Sequence, residues 1–175
     1  LRCRIFHTGG YAVHIDARTA NVSRIEIIEP HLHDNRSFLF GATAGSEIYG
    51  SWTGGILAQG DGLTNSYGVR GLTVRNGRFR RGTGNQVWSH LYGFGTLHTD
   101  FKIQGCTFED IGRDGIMLGG VVGGDVAGNF FRRIGYICTD DTSAGIPRWI
   151  NGQWAVGLDT AGLTRGVSYR GNSFV

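Results

Sequence analysis

An imidazole and three carboxylates are the side chains best suited to move a proton: His90, Asp140, Asp141 and Asp159. Two carboxylates flanking a glycosidic bond can hydrolyse it, with the outcome set by their separation. An imidazole or carboxylate serves as acid or base once its surroundings tune its pKa. Trp88 stands two residues before His90, and Trp149 follows the Asp pair. A flat indole of this kind can stack on a sugar ring. His98 and Asp100 stand in reserve on the adjacent segment. His31-Leu32-His33, with Asp34 next to it, places two imidazoles on one side of an extended strand, as a metal chelate would. A polar turn is the preferred reading there, and no metal ligand is assigned. Cys3, Cys106 and Cys138 are odd in number and give no disulfide framework.

These residues need a scaffold, and the segment Phe101–Gly120 shows what it is. It holds three short β-type runs, Phe101–Gln104, Thr107–Glu109 and Gly115–Leu118, separated by residues that turn. Its apolar anchor, Phe108, has counterparts at Ile5, Leu32, Phe79, Phe131 and Phe174. Eight residues past an anchor comes a second apolar position: Val13, Phe40, Val87 and Ile116, with Val156 reached only after an insertion. A unit of three short strands and no helix cannot bury its apolar face alone. Stacked copies close the core and pair each strand with its equivalent in the next copy. Two stretches break the repeat, 41–66 and 138–153, and are expected as loop insertions in a single domain spanning 1–175.

Alternation then assigns faces. With Val13, Val87, Ile116 and Val156 inward, one outward column reads His14, Trp88, Met117 and Gly157. The next reads Asp16, His90, Gly119 and Asp159. Trp88, His90 and Asp159 are therefore expected on one surface, with Gly119 as the bare floor of a groove and the two insertions as its walls.

The Asn129-Phe130-Phe131 and Asn172-Ser173-Phe174 turns, with Ile111-Gly112-Arg113-Asp114-Gly115-Ile116 running from turn into strand, resemble the right-handed parallel β-helices of the pectin lyase-like superfamily. The resemblance covers roughly residues 1–40 and 67–175. It implies an all-β, single-stranded right-handed parallel β-helix of about five to six coils. It also implies a polysaccharide partner lying along one parallel sheet, and export from the cell. The superfamily includes polysaccharide lyases, glycoside hydrolases, alginate epimerases and phage tailspikes. A lyase of this kind uses Lys or Arg as base. Lys102 falls on a different sheet, which leaves Arg113, Arg132, Arg133 or Arg148, with Ca²⁺ as the implied cofactor in that case alone. Arg113 and His98 are expected, with the two Trp residues, among the substrate contacts. Tyr92-Gly93-Phe94 resembles part of the alginate epimerase motif, but Gly95, Thr96 and Leu97 replace its Asp-Pro-His. The alternative is a non-catalytic β-helix: a tailspike or tail-fibre segment, trimeric if a tailspike, or a surface adhesin.

Composition narrows the rest. The 175 residues include 31 Gly and 2 Pro, which fits many tight turns and excludes a Pro-rich linker. Charged residues make up 18%, too few for a disordered polyelectrolyte. The net charge of +3 suits an acidic partner or a plain soluble surface. No apolar run reaches the roughly 20 residues of a membrane span, and no phosphate loop, zinc pattern or nucleic-acid module is present. Arg80-Arg81 and Arg132-Arg133 read as turn decoration. The chain starts at Leu1 without Met and inside a repeat, so it is expected to be a piece of a longer β-helix.

Overall fold

The computed structural model describes residues 3–6, 8, 10–35, 54–61, 67–82, 84–92, 98–135 and 157–175. They form sixteen strands. In chain order these are β1 (Arg4–Phe6), β2 (Tyr11–Ala17), β3 (Val22–Ile28), β4 (His31–His33), β5 (Gly54–Asp61), β6 (Val69–Arg75), β7 (Arg78–Arg80) and β8 (Val87–Tyr92). They continue as β9 (His98–Gln104), β10 (Thr107–Ile111), β11 (Ile116–Gly119), β12 (Val121–Ala127), β13 (Phe130–Ile134), β14 (Leu158–Ala161), β15 (Arg165–Arg170) and β16 (Ser173–Phe174). Every third strand joins the same sheet. Sheet A runs β1-β4-β7-β10-β13-β16, sheet B runs β14-β11-β8-β5-β2, and sheet C runs β15-β12-β9-β6-β3. All named pairings are parallel. This is the all-β, three-sided parallel β-helix that the repeat predicts.

The anchors fall into one column. Ile5 pairs Leu32, Leu32 pairs Phe79, and the column continues through Phe108 and Phe131 to Phe174. The four Phe rings stack with centroids 4.7, 4.9 and 4.8 Å apart and planes within 10° of parallel. That separation is the inter-strand spacing itself, so the backbone ladder sets the ring stack. Each ring pair contributes roughly 0.5–1.5 kcal/mol beyond its buried area. Phe79, Phe108 and Phe131 are fully buried. Gly115 and Gly157 make room for them: a Cβ at Gly115 would meet the Phe131 ring at 2.7 Å, and one at Gly157 the Phe174 ring at 2.4 Å.

Corners repeat as strictly as the core. Glu29, Asn76, Gly105, Gly128 and Gly171 all stand at left-handed φ, between 53° and 63°, where sheet C hands over to sheet A. The next position carries a polar ladder. Asn129 Oδ1 accepts from the Cys106 N–H at 2.9 Å, and its Nδ2 donates to the Ile103 carbonyl and to Asn172 Oδ1. Asn172 in turn donates to the Val126 carbonyl. These amides satisfy corner backbone that would otherwise be buried unpaired.

The expected insertion at 41–66 is corrected in part, because residues 54–61 within it form β5, an interior strand of sheet B between β2 and β8. All but the last residue of β5 are buried. A strand covered on both faces loses the alternation that marks a half-exposed one, and Gly54 and Gly55 made this one read as loop. Ile56, not Phe40, occupies the inward column beside Val13. The insertion expected at 138–153, like Phe40 and Val156, lies outside the described residues.

Candidate functional site on the outer face of sheet B

Backbone register fixes which side chains share this face. The inward column is Val13, Ile56, Val87, Ile116 and Leu158. The outward column beside it is His14, Leu57, Trp88, Met117 and Asp159, and two residues further along the strands come Asp16, Gln59 and His90. Asp159 is therefore in the Trp88 column, not the His90 column. The sequence placed it two residues off because Val156 and Leu158 share parity, and a two-residue slip keeps every side chain on its face. Trp88 and Asp159 are two rungs apart, about 10 Å, and His90 and Asp159 about 12 Å on the diagonal.

Trp88 is only 7% exposed. It packs edge-on to His90 with centroids 4.9 Å apart and tilts against Tyr11 at 6.1 Å. The expected stacking platform is thus a buried packing residue of this face, which supports the His90 ring. His90 is partly exposed, and desolvation lowers its pKa below the ordinary histidine value. That shift favours the neutral imidazole, the form that can accept a proton. Two rungs from His90, His14 Nε2–H donates to Gln59 Oε1 at 2.9 Å. Asp16 is forked by Arg18, which donates from Nε at 2.9 Å and from the guanidinium terminus at 2.6 Å. That hydrogen bonding holds the Asp16 pKa down at about 2 and ties up its carboxylate. Asp159 makes no ion pair among the described residues.

Three other expectations are corrected or left open. His98 is fully buried at the start of β9 in sheet C. The Val69 N–H donates to its Nδ1 at 3.0 Å, and its Nε2–H donates to the His90 carbonyl at 3.2 Å. Burial pulls its pKa down to about 4. With both ring nitrogens engaged and no exposed surface, His98 ties sheet B to sheet C and has nothing left for a substrate. Arg113 is also buried, with Nε 4.0 Å from Asp114 Oδ2, a carboxylate with no exposed surface. The two charges form a loose ion pair in the turn before β11, and burial removes Arg113 from the substrate contacts. Asp140, Asp141 and Trp149 lie outside the described residues.

Gly119 is not a free groove floor. A Cβ there would meet the Ser89 carbonyl oxygen at 2.9 Å, and the Ser89 hydroxyl already accepts from the Gly119 N–H at 2.8 Å. Sequence reasoning missed the buried polar group behind Trp88. It comprises buried Asn85 and Asp114 with half-buried Tyr11 beside them, and Asn85 donates from Nδ2 to Met117 Sδ at 3.3 Å. Burial drives the Tyr11 hydroxyl pKa far above its usual value, while nearby Arg113 opposes this and Asp114 adds to it. The only signal was the Gly-flanked Arg113-Asp114 pair, which reads as turn chemistry.

No family model matches the sequence, and no curated protein or solved structure matches it. The geometry of this face is thus the ground on which a function has to be argued. Among the described residues no group of three or more His, Cys, Asp or Glu is placed to hold a metal ion.

Proposed function

We propose that this chain binds a polysaccharide along the outer face of sheet B, as a parallel β-helix of the pectin lyase-like kind. The observation that carries the reading is the make-up of that face. His14 and Asp16 are exposed and His90 and Asp159 partly exposed along this face, with Gln59 buried between the first two and His90, and no two residues within a column are alike. A glycan needs such an extended set of unlike polar groups to meet hydroxyls and ring faces at intervals along its length. In a catalytic version, a lyase or glycoside hydrolase, neutral His90 accepts the proton. Asp159 is the available carboxylate, and Asp140 and Asp141 remain candidates on the segment after β13.

The about 12 Å diagonal from His90 to Asp159 favours a second reading. Hydrolysis needs two carboxylates flanking one bond, and this pair is one imidazole and one carboxylate on well-separated backbone positions. The second reading is a non-catalytic β-helix of a tailspike, tail fibre or adhesin that holds its glycan without cleaving it.

A screen of the full-length protein on a polysaccharide panel separates these. New reducing ends support a hydrolase, and an ultraviolet-absorbing unsaturated product supports a lyase. Saturable binding with neither supports the non-catalytic version, and a trimer by light scattering would then support a tailspike. Absence of both binding and turnover across neutral and anionic glycans contradicts the proposal.

A further inference from the structure

Sheet A carries a second concentration of charge, on the opposite chemistry from a metal site. Arg4, His31 and Arg78 share one outward rung column, since Arg4 pairs His31 and His31 pairs Arg78. Two residues along, His33 pairs Arg80, and Arg81 follows at the corner. Arg4, His31, His33, Arg78, Arg80 and Arg81 line an open cleft of about 320 Å³.

The carboxylates facing this cleft are already engaged. Asp34 is forked by Arg81, with Nε donating at 2.7 Å, and it accepts from His33 Nδ1–H at 2.7 Å. Glu109 is shared between Arg80, at 3.1 Å, and Arg132. Further along sheet A, Arg133 is forked by Asp110. Arg4 and Arg78 differ from all of these. Among the described residues neither has a carboxylate partner; Arg4 Nε–H donates weakly to His33 Nε2 at 3.4 Å and lies over the Phe6 ring. Both are exposed, and they stand one rung either side of exposed His31.

We propose that this cleft binds a tetrahedral oxyanion, a phosphate or sulfate group. Two unpaired guanidiniums about 10 Å apart at the backbone, with an imidazole between them, present donors from three successive rungs. A planar monocarboxylate is satisfied by one guanidinium fork and leaves the second arginine unpaired. A tetrahedral oxyanion has three or more terminal oxygens out of one plane and uses both. The inference is independent of the glycan reading, which concerns a different sheet.

Isothermal titration calorimetry on the full-length protein at low ionic strength tests it. The probes are inorganic phosphate, inorganic sulfate, glucose 6-phosphate, glucose 6-sulfate and glucuronate. Saturable binding of the phosphate and sulfate probes is expected, with glucuronate weaker by about tenfold or more. Esters binding as tightly as the free ions would assign the cleft to a group carried on a larger molecule. Free ions alone binding would assign it to the inorganic anion. Arg78→Gln and Arg4→Gln, both exposed, should each lower the affinity by about tenfold. Arg133→Gln, whose guanidinium is already held by Asp110, should leave it unchanged. The proposal is overturned if neither phosphate nor sulfate binds, if glucuronate binds as tightly as they do, or if Arg78→Gln binds like the wild type.

Discussion

On sheet A, charges in the corner column alternate coil by coil: Asp34, Arg81, Asp110 and Arg133, with each Asp forked by the following Arg. On sheet B the outward column reads His14, Leu57, Trp88, Met117 and Asp159, and no two residues match. The same backbone ladder underlies both, so the contrast lies in what the side chains do. A column of like or complementary residues stabilises itself, because each rung presents its neighbour with the same geometry. The Asp and Arg residues of the sheet A corner stand at left-handed φ, 51° to 56°, a conformation costing roughly 1–2 kcal/mol per residue. Paired side chains offset part of that cost. A column of unlike residues gains nothing from stacking, so its make-up is left open to recognition of something outside the chain.

The contrast can be broken at several strengths. The largest effect is expected in the core both faces share. Phe108→Ala opens a cavity between the Phe79 and Phe131 rings and should destabilise the protein by about 3–5 kcal/mol in denaturant melts. A loss under about 1 kcal/mol would mean that the ring column is not what holds the coils in register.

His98, which links sheets B and C, comes next through its pH dependence. Its pKa is depressed from 6.5 to about 4 in the folded state, so the unfolded chain binds the extra proton. Stability is full above pH 6.5 and falls as the pH drops from 6.5 towards 4, by up to about 3 kcal/mol. His98→Gln should flatten that part of the curve; an unchanged curve would show that another group carries it.

Asn129→Ala removes hydrogen bonds to the Cys106 N–H and the Ile103 carbonyl, which remain buried. About 2 kcal/mol should be lost, read by thermal melting. The smallest effect is on the sheet A ladder. Asp34→Asn should cost about 1 kcal/mol or less, and the difference should shrink in high salt. Arg81 hydrogen bonding holds the Asp34 pKa well below the carboxylate range, with His33 adding to it. That contribution is present above the ordinary carboxylate pKa and lost as the pH falls below it.

The same contrast explains what was legible in the sequence. Sheet A could be read because its inward residues are large, ring-bearing and strictly spaced: Phe79, Phe108, Phe131 and Phe174 fall in one column. Sheet B could be read most directly where burial alternates, as in β2 and β11. In β5 both faces are covered, and Gly54-Gly55 masked the strand. Of the candidate site, His90 and Asp159 do lie on the expected face. Alternation fixes a face but not a two-residue register, so Asp159 was placed in the wrong column. It is also blind to burial from outside the sheet, which is why Trp88, His98 and Arg113 read as available when the structure buries them.

The central claim is the proposal that glycan recognition belongs to the outer face of sheet B and that the Asp110–Arg133 part of the sheet A corner ladder is structural. Its most direct test measures glycan affinity and melting temperature together, for His90→Ala with Asp159→Asn and for Arg133→Gln. The account predicts that the sheet B double variant loses at least tenfold in glycan affinity at an unchanged melting temperature, whereas Arg133→Gln melts slightly earlier and binds like the wild type. Unchanged glycan affinity in the sheet B variant, or its loss in Arg133→Gln, would contradict it.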